Sequence, residues 1–307
     1  MMQKIIDKLN DEYAFVQGED YLHFVNSTGD IPIVEIKNQY ASAKISLQGA
    51  HILSWKPAGE DEVIWLSEDA SYARGKSIRG GIPLCWPWFG AHETRADLPA
   101  HGFARTVLWQ VLDTKQLNTG ETTITFQLDT TTLSINTEEM WPQATVATYR
   151  IIVGKTLSLE LATKNNSSQS YTLGQALHTY FDVQDIAEVS IVGLNGRPYL
   201  DKTLDFSKHT QTESLTIQGE VDRIYLDTPD EVLIKNKSRT IIIEKTGSLS
   251  TVVWNPGEEV AKKMGDLGQD GYQQMLCVES ANAAEDTVIV EPEQTHKLNV
   301  IYKIQHA

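Results

Sequence analysis

TVATYRIIV (145–153) and LSLELAT (157–163), two runs separated by three residues, decide the fold class. Both alternate side chains with a period of two, which puts one face of a strand in a core and the other in water. The same period recurs upstream in IPIVEI (31–36), AKISL (43–47) and TITFQL (123–128). Downstream it returns in YTLGQALHTYF (171–181), EVSIVG (188–193), EVLIK (231–235), TIIIE (240–244), STVVW (250–254), QMLCVE (274–279), TVIV (287–290) and HKLNVIYKI (296–304). Turn residues separate the runs, among them Pro57-Ala58-Gly59, Asn118-Thr119-Gly120, Asn165-Asn166-Ser167, Asn195-Gly196, Thr246-Gly247 and Pro256-Gly257. Pattern counting predicts about 17 or more short strands, the spacing of an all-β sandwich or barrel. Helical patterns are few: residues 257–268, with acids in the first turn and Gly268 as a stop, and residues 1–13. Strands do not alternate with helices, which argues against a parallel α/β sheet. No Pro-, Gly- or Ser-rich tract and no charge block divides the chain, so one antiparallel β domain over 1–307 is expected.

Composition narrows the function. A chain of 307 residues that is 41% hydrophobic is too apolar for disorder and long enough for a large core. The net charge of −15 argues against nucleic acid and against an anionic membrane surface, because both need cations to displace counterions. Lys4, Asp7 and Lys8 interrupt any secretory h-region, and no window approaches the roughly 20 apolar residues of a membrane span. Cys85 and Cys277 read as buried reduced thiols, and the expected compartment is the cytoplasm.

Several motifs fail. Gly75-Lys76-Ser77 imitates the end of a phosphate loop, but Ala70 stands where its first glycine belongs. There is no Cys-x-x-Cys, His-x-His or His-Glu-x-x-His for a metal, and no Gly-x-Ser-x-Gly elbow. Four segments do not read as plain β structure. SIRGGIPLCWPWFG (77–90) is rich in aromatics and proline, and Gly80-Gly81 allows close backbone approach. HGFAR (101–105) follows it. Between 74 and 105, Arg74, Lys76, Arg79, Arg95 and Arg105 face only Glu93 and Asp97, a basic window in an acidic chain and a candidate anion site. LGQALHTYF (173–181), read as one strand, puts His178 on a face with the small residues Gly174 and Ala176, which leaves room for a ligand; a structural histidine is equally compatible. QMLCVESAN (274–282) puts Glu279 on a face with Cys277 and Met275. There a carboxylate must be paired, lie in a pocket, or mark the end of the strand.

RGGIPLCWPWFG, HGFAR, HTYF, VDRIY (221–225), WNPG (254–257) and VES, in this order, resemble the hexose-6-phosphate mutarotases, or glucose-6-phosphate 1-epimerases, relatives of galactose mutarotase. The resemblance implies a β-supersandwich with an open sugar pocket, no metal and no cofactor. Anomers interconvert through the open-chain aldehyde, so an acid must protonate the ring oxygen while a base takes the C1 hydroxyl proton. The resemblance assigns His178 as the acid and Glu279 as the base. It makes Arg79 and Arg105 the phosphate ligands, Asp222 an acceptor for a sugar hydroxyl, and His101 a pocket residue that hydrogen-bonds the ring. The implied partner is a small phosphorylated sugar, glucose 6-phosphate first, and the protein is expected to act as a monomer. Ala100 stands where relatives often carry glutamine, which leaves the preferred hexose phosphate open. Three readings compete: a mutarotase of unphosphorylated aldoses, a non-catalytic carbohydrate-binding sandwich using Trp86 and Trp88 as platforms, and a glycoside hydrolase using Asp222 and Glu279.

Overall fold

The two runs over 145–163 form the antiparallel strands Thr145–Val153 and Leu157–Asn165 of the computed structural model, which describes residues 2–133 and 137–306. Their register pairs Tyr149 with Leu161, Ile151 with Leu159 and Val153 with Leu157. All six side chains are buried, so the period-two pattern becomes one apolar face. These strands sit inside an eight-stranded sheet whose order is Ser190–Val192, Val232–Lys235, Arg239–Thr246, Thr295–His306, Leu157–Asn165, Thr145–Val153, Thr122–Asp129 and Gln110–Gln116. A five-stranded meander runs from Phe15 to Pro57. A further sheet follows the order Ser207–Thr210, Pro198–Asp201, Val221–Tyr225, Ser250–Asn255, Met275–Asn282, Gln175–Leu177 and Leu84–Cys85. One apolar cluster, with members from Ile6 to Tyr302, joins the three sheets. The strands are antiparallel throughout, as the sequence predicts, and Met2–Tyr13 forms the N-terminal helix, Met1 lying outside the described residues. No helix among the described residues is long and apolar enough to cross a membrane.

The last of these sheets positions the site, because its two faces have different surroundings. Along Met275–Asn282, Leu276 and Val278 point into the main core. Met275 and Cys277 point the other way, into a small cluster with Trp65, Tyr180, Ala261 and Leu267. Ala281 shares that outer face but belongs to a second small cluster, with Cys85, Ala176, Ile224 and Val252. Glu279 falls between these two clusters, at the seam where neither supplies a continuous apolar cover.

Three expectations are corrected. The segment 171–181 is not one strand: Tyr171–Leu173 pairs with Val288–Val290, and the chain then changes partner. The change falls at Gly174, whose N–H donates to the Pro87 carbonyl and where a Cβ would come within 3.0 Å of the Phe89 backbone nitrogen. The helix over 257–268 is confined to Gly257–Ala261. Successive turns follow, and Gly268 at φ +80° redirects the chain. Trp86 and Trp88 are buried, with their indole N–H groups donated to Thr163 Oγ1 and the Pro99 carbonyl. They present no platform for a sugar ring, which removes the feature on which the non-catalytic reading depended. The close approach expected at Gly80-Gly81 does occur: Gly81 has φ +72°, and a Cβ there would overlap His51 Nε2 and the Ile52 carbonyl.

Candidate active site

Leu177 pairs with Ser280, and Tyr180 with Cys277. The same register sets His178 directly across from Glu279, where cross-strand side chains meet. The His178 N–H donates to the Pro83 carbonyl, which continues the register pairing Gln175–Leu177 with Leu84–Cys85 on the other side of the strand. The imidazole and the Glu279 carboxyl group both line the cavity on this face of the sheet. His178 Nε2 lies 3.3 Å from Glu279 Oε1, and the two residues are 9% and 1% exposed. His178 Nδ1 and Glu279 Oε2 are buried without a hydrogen-bond partner, so each residue keeps one polar atom uncommitted.

A cavity of about 310 Å³ opens over this pair. All six residues singled out in the sequence line it: Arg79, His101, Arg105, His178, Asp222 and Glu279. Lys202, Tyr180, Trp254 and Asp266 line it as well, and sequence reasoning assigned them no role. Lys202 and Asp266 carried no local signal. Tyr180 and Trp254 stood inside quoted motifs but were not given functions. Tyr180 stacks on His178 with centroids 5.0 Å apart, and Trp254 packs edge-on against both rings, so the imidazole plane is held by aromatic contact.

The charges are more balanced than the basic window 74–105 suggested. Only Arg79 and Arg105 of its five cations line the cavity. Arg95 pairs with Asp97 at the surface, and Arg74 reaches the Asp30 carbonyl. Arg79 donates to Asp266 Oδ1 and to the Tyr180 hydroxyl, both at 3.0 Å. Lys202 donates to Asp222 Oδ2 at 2.6 Å, so one oxygen of the expected hydroxyl acceptor is already engaged. Arg105 forms no ion pair among the described residues and donates only to the Ala100 carbonyl, at 3.0 Å. Position 100 therefore contributes through its backbone, which the departure from glutamine leaves intact. Three cations, Arg79, Arg105 and Lys202, meet three carboxyl groups, Asp222, Asp266 and Glu279.

Burial sets the protonation of the interior groups. Desolvation raises the Glu279 pKa well above the usual carboxylate range, against the opposing pull of Lys202. Desolvation, aided by His101 and Arg105, pushes His178 well below 6.5. His101 falls to about 3, again chiefly by burial, and stays neutral. Its Nδ1 accepts the Gly90 N–H at 3.3 Å, which fixes the proton on Nε2 and makes that atom a donor. His178, Cys277 and Glu279 bring one ligand atom each to within 4.8 Å of one another and could hold a metal ion.

Three buried histidines give a pH dependence with a definite sign. A histidine whose folded pKa is depressed contributes stability fully above its unfolded value and loses it as pH falls through the folded value. His51 is buried, its Nε2 bonded to the Gly80 carbonyl, and burial lowers it to about 4 from 6.5. Its share of the loss between pH 6.5 and 4 is roughly 3 kcal/mol at 1.36 kcal/mol per unit. Urea midpoints should therefore fall across that window, and His51→Gln should flatten the fall. An unchanged slope in the variant would contradict the assignment.

A sequence model of the aldose 1-epimerase family matches residues 32–303. A protein of Escherichia coli (strain K12) named "Putative glucose-6-phosphate 1-epimerase" is 38% identical over 270 residues, 87% of this chain and 88% of that protein. A protein of the same name from Cenchrus ciliaris is 34% identical over 258 residues, 81% of this chain and 77% of that protein. The crystal structure of a "putative mutarotase" from Salmonella typhimurium superposes with a TM-score of 0.87 at 32% identity, covering 99% of this chain and 100% of that one. A galactose 1-epimerase from Lactobacillus acidophilus NCFM shares the fold, with a TM-score of 0.71 at 13% identity over 93% of this chain and 99% of that one.

Proposed function

The chain belongs to the aldose 1-epimerase family, and we propose that it interconverts the α and β anomers of an aldohexose 6-phosphate, glucose 6-phosphate first among them. The observation that carries this reading is the His178–Glu279 pair, 3.3 Å apart at the base of a cavity of about 310 Å³. The two oxygens of a hemiacetal sit on one carbon, so two adjacent groups can address both at once. Ring opening moves the C1 hydroxyl proton to Glu279 while His178 delivers its proton to the ring oxygen. Closure on the other face of the aldehyde returns both protons and inverts C1. The pair carries one proton in total throughout. Desolvation favours the arrangement with Glu279 protonated and His178 neutral, which is the arrangement that accompanies the open chain. His101 Nε2–H donates to a sugar oxygen, and Asp222 accepts from a hydroxyl through the oxygen that Lys202 leaves free. No redox step or group transfer occurs, so the reaction requires no cofactor. We place the enzyme in the cytoplasm as a monomer, a reading that fits its two buried free thiols.

Arg105 is the cation best placed for phosphate, because nothing neutralises it among the described residues. Arg105→Ala should lower kcat/KM for glucose 6-phosphate by about 10–100-fold, matching the roughly 1.5–3 kcal/mol of a charged hydrogen bond. The rate on glucose should hardly change. Arg79→Ala should slow both substrates, because Arg79 also props the Tyr180 hydroxyl beside His178. The pairing of Arg79 with Asp266 and of Lys202 with Asp222 favours a second reading, an unphosphorylated aldose as substrate. Anomer exchange on glucose 6-phosphate and on glucose, followed by NMR, decides between them. Faster exchange on glucose, insensitive to Arg105→Ala, would establish the second.

A further inference from the structure

The register that joins His178 to Glu279 places Cys277 two residues along the same strand and on the same face. Among the described residues this is the only point where three metal-ligating groups converge, with ligand atoms within 4.8 Å of one another. We propose that His178, Cys277 and Glu279 form a site for a thiophilic divalent cation, with zinc as the reference ion, whose occupancy reversibly blocks the acid–base pair. One nitrogen, one sulfur and one carboxylate oxygen make a set that zinc accepts, with the fourth position open toward the cavity. Tetrahedral zinc holds such atoms about 3.3–3.6 Å apart, a spacing the His178–Glu279 pair already meets. The thiol has at most about 1.5 Å left to close. Glu279 Oε2, buried and without a partner, is a second observation that the carboxyl group is uncommitted; His178 Nδ1, the far ring nitrogen, is also buried without a partner.

The same orphan Nδ1 limits the affinity. A resident metal site orients its histidine through a hydrogen bond on the far ring nitrogen, and losing that support costs roughly 10–100-fold. The site is therefore suited to reversible inhibition and not to a permanent cofactor. Binding releases the Cys277 proton and the one proton the His178–Glu279 pair holds, so it tightens as pH rises. Cys277 is buried behind the cavity wall and takes no part in the reaction proposed above. That inhibition follows from binding rests on the catalytic reading; binding itself does not.

The test uses the purified full chain with zinc chloride, cobalt chloride and glucose 6-phosphate. Zinc should slow anomer exchange, and a chelator should restore it. Cys277→Ala and Cys277→Ser should keep their rates without zinc and require at least roughly tenfold more zinc for half-inhibition, since one of three ligands is gone. Cobalt should give a thiolate-to-metal charge-transfer absorption in the wild type that is absent in both variants. Absence of that absorption in the wild type, or equal zinc sensitivity with and without the thiol, overturns the site. A thiolate–cobalt band with zinc bound and anomer exchange undiminished establishes the metal site while overturning both inhibition and the catalytic reading. Should the variants fail to fold, the wild-type cobalt spectrum decides alone.

Discussion

A Glu279→Gln variant is expected to lose anomerase activity and, at neutral pH, to unfold at a higher temperature than the wild type. The activity loss should be about 10²–10⁴-fold, the contribution of a positioned general base. The stability gain follows from the sign of the pKa shift. Glu279 is 1% exposed, and burial raises its folded pKa well above 4.5. A group with a raised folded pKa contributes stability that is full below its unfolded value and is lost as pH rises through the folded one. Each unit of that shift corresponds to about 1.4 kcal/mol once the unfolded chain can ionise freely. Glutamine keeps the shape and removes the ionisation, so the two proteins should melt alike near pH 4 and diverge above it. Calorimetric melting at pH 4 and pH 8, with anomer exchange measured on the same samples, checks both halves. Full activity in the variant would remove Glu279 as base. A lower melting temperature at pH 8 would show that the buried carboxylate is stabilised by contacts that outweigh its desolvation.

His178→Asn should cost a similar factor, about 10²–10⁴, because the acid that protonates the ring oxygen is gone. The more discriminating experiment is the double variant. The pair handles one proton between its members, so removing either stops the exchange, and removing both should be no worse than removing one. Costs that multiply in the double variant would mean that His178 and Glu279 act in separate steps or on separate protons. Because Tyr180 and Trp254 hold the imidazole plane by contact, asparagine at 178 leaves a partly open aromatic pocket; near-ultraviolet circular dichroism verifies that those rings keep their packing.

Much of the molecule was legible in the sequence for a local reason. Alternation with a period of two is a property of neighbouring residues, and runs such as TVATYRIIV convert directly into a buried face. The six residues named in the sequence, scattered from Arg79 to Glu279, all reach one cavity. Where the reading failed, it failed at interruptions. Gly174 hands the chain from one sheet to another, and Gly268, at φ +80°, redirects the segment after Ala261. Both depend on what packs against the backbone, which no window of residues contains.

Residue alternation along the chain fixed the all-β class and the antiparallel arrangement, and the motif resemblance singled out His178 and Glu279 as the candidate acid–base pair. Tertiary structure alone decided the electrostatics of the site. Asp266 neutralises Arg79 across 187 positions, and Lys202 reaches Asp222 from the 3-10 turn after Pro198–Asp201, so Arg105 is left as the uncompensated cation of the pocket. It also decided the protonation of the pair, since desolvation depends on the apolar clusters on either side of Glu279. The physical reason is the same in both cases. Backbone periodicity is set by nearest neighbours, whereas charge energies are set by distance and dielectric in three dimensions.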